Sequence, residues 1–189
     1  MPYTPPPELA ALSLSELAEA AAARRLPPIG QWSPERTGDS EMRIAADGSW
    51  YHQGGRITRP AMVRAFSALL TRNAEGQHWL VTPFERLSIA VDDAAFIATD
   101  MEVRADDAGA AVLAFRLNTD DVILLGADNP LRVGGSAETP AYYLAVRHGT
   151  EARLNRSTYG QLIDHALSLS PVTALAVESQ GTRFGLIPE

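Results

Sequence analysis

Cysteine is missing from all 189 residues, which excludes disulfides, thiol nucleophiles and Cys-ligated zinc. Lysine is missing as well: the 16 basic residues are all arginine. Neither a Schiff-base lysine nor a P-loop lysine is therefore available. Arginine suits bidentate capture of carboxylate or phosphate, although a GC-rich genome is the simpler source of an all-arginine inventory. Positive charge is short, with 23 acids giving a net charge of −7, and that argues against a general nucleic-acid binder. No apolar run approaches the roughly 18 residues of a membrane span. The opening MPYTPPPELAAL puts prolines and acids where a signal peptide needs positive charge and then an apolar stretch, so a cytoplasmic location is expected. Gly-x-Ser-x-Gly and Gly-x-Gly-x-x-Gly are absent, and His52, His78, His148 and His165 show no metal-binding spacing.

What is present reads as a globular chain. A 46% hydrophobic share is ordinary, and the length suits one domain or two small ones. Pro5 to Pro7 form a stiff lead. Leu9, Leu12, Leu17 and Ala20 or Ala21 then make a helical stripe with Ser13 or Ser15 as cap, and Pro27-Pro28 closes this arm. Gln31 to Ser40 reads as loop. Met42–Ala45 and Ser49–Gln53 flank Asp47-Gly48, a hairpin signal. A helix follows from about Arg59-Pro60, with Met62, Val63, Phe66, Leu69 and Leu70 on one face and Asn73 to Gly76 as its stop. His78–Thr82, Arg86–Val91, Phe96–Val103, Ala110–Leu117, Val122–Leu125, Leu131–Val133, Tyr142–Arg147 and Ala152–Leu154 read as strands. A second helix spans about Arg156 to Leu169, with Tyr159, Ile163, Ala166 and Leu167 inward, and a hairpin around Gln180-Gly181 ends the chain.

The stretch Arg56-Ile57-Thr58-Arg59-Pro60-Ala61-Met62 lines up with Arg153-Leu154-Asn155-Arg156-Ser157-Thr158-Tyr159, each pair 97 positions apart. The surrounding order of hairpin, helix and hairpin agrees too, which points to an internal duplication. Neither copy carries a catalytic signature. A guanidinium at a helix start faces the positive end of the dipole, at a cost of a few tenths to about 1 kcal/mol. Two such residues, Arg59 and Arg156, call for an anion: a carboxylate of the other half, or a ligand phosphate. Arg132 after a rigid turn and Arg147 at a strand end read first as surface or paired charges. Trp50 and Tyr159 read first as core or domain contacts that could also stack on a planar ligand. Asn118-Thr119-Asp120-Asp121 reads as a turn, lacking the closing residues of a calcium loop.

The runs DGSWYHQGGRITRPAMVRAFSALL, HWLVTPFERLSIAVDDAAF, FRLNTDDVILLGADNPLRV and YYLAVRHGTEARLNRSTYGQLIDHAL together resemble the bacterial family called domain of unknown function 1285, from about Met42 onward. The proline-rich start before Pro28 lies outside the resemblance. Ala95 stands where the family pattern has proline, and Gly160 interrupts the second helix. The resemblance implies a duplicated α+β fold whose C-terminal half is like a pleckstrin-homology barrel capped by a helix. It also implies a ligand site between the halves, for a nucleotide or nucleotide-derived molecule, with a link to signal transduction. The matching blocks contain Trp50, Arg56, Arg59, Asn118, Arg132, Arg147, Arg153, Arg156 and Tyr159.

The sequence thus predicts an α+β protein with a helical arm over 1–30, an N-terminal lobe over 31–92 and a C-terminal lobe over 93–189. Its function is read as non-catalytic binding of a small anionic, nucleotide-like ligand between the lobes by Arg59, Arg156, Arg132, Arg147, Trp50, Tyr159 and Asn118. No metal, nucleic acid or membrane partner is indicated, and the cofactor is left unassigned. Two alternatives stand beside it: a protein-interaction module with a protein partner, and a metal-dependent nucleotide hydrolase using Asp92, Asp93, Asp120 or Asp121.

Overall fold

A computed structural model describes residues 6–169 and 171–188. The first five residues of the expected 1–30 arm, Pro5 of its proline lead among them, lie outside that range. Helix α1 (Leu14–Ala23) starts at Ser13, whose hydroxyl accepts from Glu16 N while the Glu16 carboxylate accepts from Ser13 N. This reciprocal box satisfies two donors that a helix start otherwise leaves open. Leu9 and Leu17 are fully buried against Ala114 and Val122 of the C-terminal lobe. At about 1.5–3 kcal/mol for each leucine, that burial holds the arm down.

Among the described residues fourteen strands follow, twelve of them in two six-stranded sheets. The first sheet holds β1 (Arg36–Ile44), β2 (Trp50–His52), β3 (Gly55–Arg56), β4 (Leu70–Arg72), β5 (His78–Val81) and β6 (Glu85–Val91), in the order β3-β2-β1-β6-β5-β4. The second holds β7 (Phe96–Ala105), β8 (Ala111–Leu117), β9 (Val122–Leu124), β10 (Leu131–Gly135), β11 (Pro140–Ala145) and β12 (Glu151–Leu154), in the order β10-β11-β12-β7-β8-β9. Each is two three-stranded antiparallel meanders joined by one parallel pair, β1 with β6 and β7 with β12. The two orders are the same topology read from opposite edges. Both sheets are open, so the second is no closed barrel.

The duplication therefore exists at the level of the sheets, but its register is not 97 residues. Helix α2 (Pro60–Ser67) follows the third strand of its sheet, whereas α3 (Arg156–Leu169) follows the sixth. Arg56 ends β3 and Arg153 lies in β12, which are not equivalent strands. The shared run marks two strand-to-helix junctions that are finished differently: the Asn155 side chain caps α3, whereas Arg59 holds the N-cap position of α2 with no side-chain cap bond.

Three local expectations also change. Arg36 to Ser40 is strand, not loop, because it pairs in parallel with Glu85 to Ser88. Helix α2 ends at Ser67, since Leu70 to Arg72 leave it to pair with β5; Met62 stays exposed, as does Leu167 on α3. Gly160 does not interrupt α3, which runs unbroken and is capped by Asn155 Oδ1 accepting from Thr158 N at 2.8 Å. One core joins the lobes, with Ile44, Trp50 and Leu80 in the same cluster as Phe96, Phe115 and Leu162. The hairpin β13 (Ala176–Ser179) and β14 (Thr182–Gly185) lies beside α3 and β8.

Candidate functional site

At the seam the Asp47-Gly48 hairpin turn of the first lobe meets the β8–β9 turn of the second. Asn118 is pinned there by its N–H donating to Ile97 O at 2.8 Å and its Oδ1 accepting from Ile97 N at 3.0 Å. Gly48 has φ +83°, and a Cβ would stand 2.7 Å from Ile97 Cγ1 and 2.8 Å from Asn118 Nδ2. Both the conformation and the close approach require glycine. On either side opens a cleft, of about 470 Å³ and about 570 Å³, and Asp47 and Asn118 line both. Together they form a trough across the seam, each half within the size range of small-molecule sites.

The first half is lined by Trp50, Arg56, Arg64 and Asp120, and the second by Arg153, Asn155, Arg156, Tyr142 and Tyr159. Four arginines thus face two aspartates. Arg56 Nη2 donates to Ser49 Oγ at 3.1 Å and Arg64 Nη1 to Thr119 O at 2.8 Å; the Arg156 guanidinium has no hydrogen-bond partner among the described residues. Among the described residues none of these three has a carboxylate within ion-pair distance, whereas Arg153 is paired with Asp93. Asp47 is held below the usual carboxylate range by the Ser49 N–H. Asp120 is pushed up, first by burial and then by the neighbouring Asp121 charge, which weakens its opposition to an incoming anion.

Of the seven residues expected at the site, Asn118, Arg156 and Tyr159 meet in the second half and Trp50 lies in the first. Trp50 is only 1% exposed and stacks on Phe66 with ring centroids 6.3 Å apart, so it serves as core first. Tyr159 packs on Tyr142 at 5.4 Å. Arg59 is the N-cap of α2, exposed, and lines neither half of the trough, whereas Arg56 and Arg64 line the first half. The structure does not bring Arg59 and Arg156 into one cavity. Arg132 is clasped by Glu151 through two 2.8 Å hydrogen bonds and lies 4.3 Å over the Tyr143 ring.

Arg147 is nearly buried, 4.8 Å over the Phe96 ring, and belongs to a latch that nothing in the local sequence announces. Arg24 at the end of α1 donates to Asp121 Oδ2, to Arg64 O and to Ser67 Oγ. Arg147 donates to the same Asp121 oxygen at 3.3 Å and to Ser67 O at 3.3 Å. The carbonyls belong to the last turn of α2, its negative end, so two guanidiniums here have the favourable sign. Arm, α2 and the β8–β9 turn are locked together at one carboxylate. The other carboxylates considered for hydrolysis are dispersed, Asp92 on Arg43 and Asp93 on Arg153 and Tyr143. Among the described residues no group of three or more His, Asp or Glu could hold a metal ion, and no helix is long and apolar enough to cross a membrane.

Paired six-stranded sheets define a two-lobed α+β protein. Two family models divide the chain between them: the DUF1285 N-terminal domain matches residues 27–94 and the DUF1285 C-terminal domain residues 95–186, both described as of unknown function. The chain belongs to the DUF1285 family. It is similar to the crystal structure of a DUF1285 family protein from Silicibacter pomeroyi DSS-3, with 39% identity, TM-score 0.77, and 90% of this chain and 94% of that one covered. A DUF1285 family protein from Shewanella baltica OS155 shares the fold at 18% identity and TM-score 0.53, over 65% of this chain and 90% of that one. Among curated proteins none matches.

Proposed function

We propose that this protein binds a small anionic, nucleotide-like molecule in the seam trough, without catalysis, and that the bound molecule couples the two lobes as a sensor in the cytoplasm. One observation carries the reading. In a chain of net charge −7, three guanidiniums without carboxylate partners among the described residues, Arg56, Arg64 and Arg156, line clefts that cross the lobe boundary. Arginine forks match phosphate oxygens bidentately, the Asn118 amide offers a further donor, and the Tyr159 ring offers a face for a planar base. A ligand held by groups from both lobes stabilises their packing, and its departure loosens the seam. The experiment is a thermal-shift panel of nucleoside mono-, di- and triphosphates at millimolar concentration. At a hundredfold excess over Kd a ligand adds about 2.7 kcal/mol of stability, equivalent to roughly 5–10 °C for a chain of this size. Arg56→Ala should abolish the shift. No stabilisation by any member of the panel would overturn the reading.

A further inference from the structure

A separate cleft of about 520 Å³ is walled by the Ile29–Pro34 segment, strands β4 and β5, and His148 in the turn between β11 and β12. It shares no lining residue with the trough. No aspartate or glutamate lines it, whereas Asp47 lines both halves of the trough. Its polar character comes from Arg72, Arg86 and His148, and its apolar character from the half-buried indoles of Trp32 and Trp79. Arg86 lies over the Trp79 ring at 5.0 Å, and its Nε donates to Thr37 Oγ1 at 3.1 Å. Both contacts fix the guanidinium plane, while its two terminal nitrogens have no partner among the described residues. The carboxylate nearest Arg72 is Glu151 at 3.8 Å, and both oxygens of that group already accept from Arg132 at 2.8 Å. The wall is rigid: Arg72 N donates to His148 O at 2.9 Å, and Gly149 packs directly on the Arg72 carbonyl.

We propose that this cleft is a second binding site, for a planar aromatic ring bearing a carboxylate or phosphate. The indoles take the ring and the Arg86 fork, with Arg72 beside it, takes the anion. Two guanidiniums repel a cation, and a neutral ring gains no charge-assisted bond from the free N–H edges of Arg86, so this chemistry favours the combination of ring and negative charge.

The test exploits the chain's three tryptophans, of which Trp50 is buried and the other two line this cleft. Tryptophan emission of the full chain is titrated with benzoate and with phenyl phosphate, with benzamide and acetate as neutral and non-aromatic controls. Saturable change with either aromatic anion, and not with the controls, is the expected result; whichever anion binds more tightly identifies the acidic group preferred. Arg86→Gln, an exposed substitution, should weaken binding by about tenfold or more, and Arg156→Ala should leave it unchanged, so this site and the trough stand or fall separately. Trp79→Leu should abolish it, with circular dichroism confirming the fold. Absence of saturation by both anions at millimolar concentration, equal binding of benzamide, or an Arg86→Gln chain that is folded and binds as the parent does would each overturn the proposal.

Discussion

Asp121 holds one negative charge between two guanidiniums whose side chains are only 13% and 12% exposed. Burial alone would raise its carboxyl, but the Arg24 hydrogen bond, the Arg147 charge and the Thr119 hydroxyl outweigh it and keep the group below the usual carboxylate range. A carboxylate depressed in the folded state adds stability above its unfolded value, near pH 4, and loses it as pH falls through the lower folded value. Asp121→Asn leaves two largely buried cations without their carboxylate, so it should cost on the order of 3 kcal/mol at neutral pH. Urea unfolding at pH 7 and below pH 4 checks this: the gap between variant and parent should narrow in acid. At Gly149 the limit is steric. Its φ is +78° and a Cβ would meet Arg72 O at 2.4 Å, whereas Gly181, at φ +74°, has nothing within 4 Å. Gly149→Ala should cost at least about 2 kcal/mol and Gly181→Ala about 1 kcal/mol, as read from chemical denaturation of both.

At the scale of elements, the arm depends on its cap. Ser13→Ala removes the capping box and should cost about 1 kcal/mol, confined to α1, so hydrogen exchange of Leu14 to Ala23 should quicken while β7 and β8 stay protected. Elements with a local cause were legible in the sequence. Helix α3 over Arg156–Leu169 is legible from its apolar period, and the hairpins at Asp47-Gly48 and Gln180-Gly181 from turn chemistry. Elements with a distant cause were not. The polar Arg36 to Ser40 becomes strand because β6 lies alongside it, with a bulge between Asp39 and Arg43 and Glu41 at φ +54°. Leu69 and Leu70 fit a helical period equally well, and β5 decides for strand at Leu70. The site divides the same way: Asn118, Arg156 and Tyr159 were visible as residue types at element ends, while Arg64, the unpaired state of Arg56 and the Arg24–Asp121–Arg147 latch arise only when distant segments meet.

For the whole molecule, two consequences follow from how the lobes are joined. His78, His148 and His165 all have lowered proton affinity, principally through burial, with Arg72 adding to it at His78 and Arg147 at His148. Their folded values lie below the unfolded value near 6.5, so the unfolded chain takes up protons first and stability declines as pH falls below about 6.5, being complete above it. Denaturant midpoints between pH 7 and pH 5 should show this decline before the carboxylates titrate. His148→Asn, a residue type that tolerates the φ of +49° at this position, should make the slope shallower. The central claim is that the seam between the lobes takes an anion through guanidiniums that have no carboxylate partner among the described residues. It is tested most directly by isothermal titration of the strongest-stabilising nucleotide into the parent, Arg156→Ala and Arg59→Ala chains. The account predicts that Arg156→Ala, which strips the trough, weakens binding by about tenfold or more, while Arg59→Ala, outside the trough, binds as the parent does. Equal losses from both variants, or none from Arg156→Ala, would contradict it.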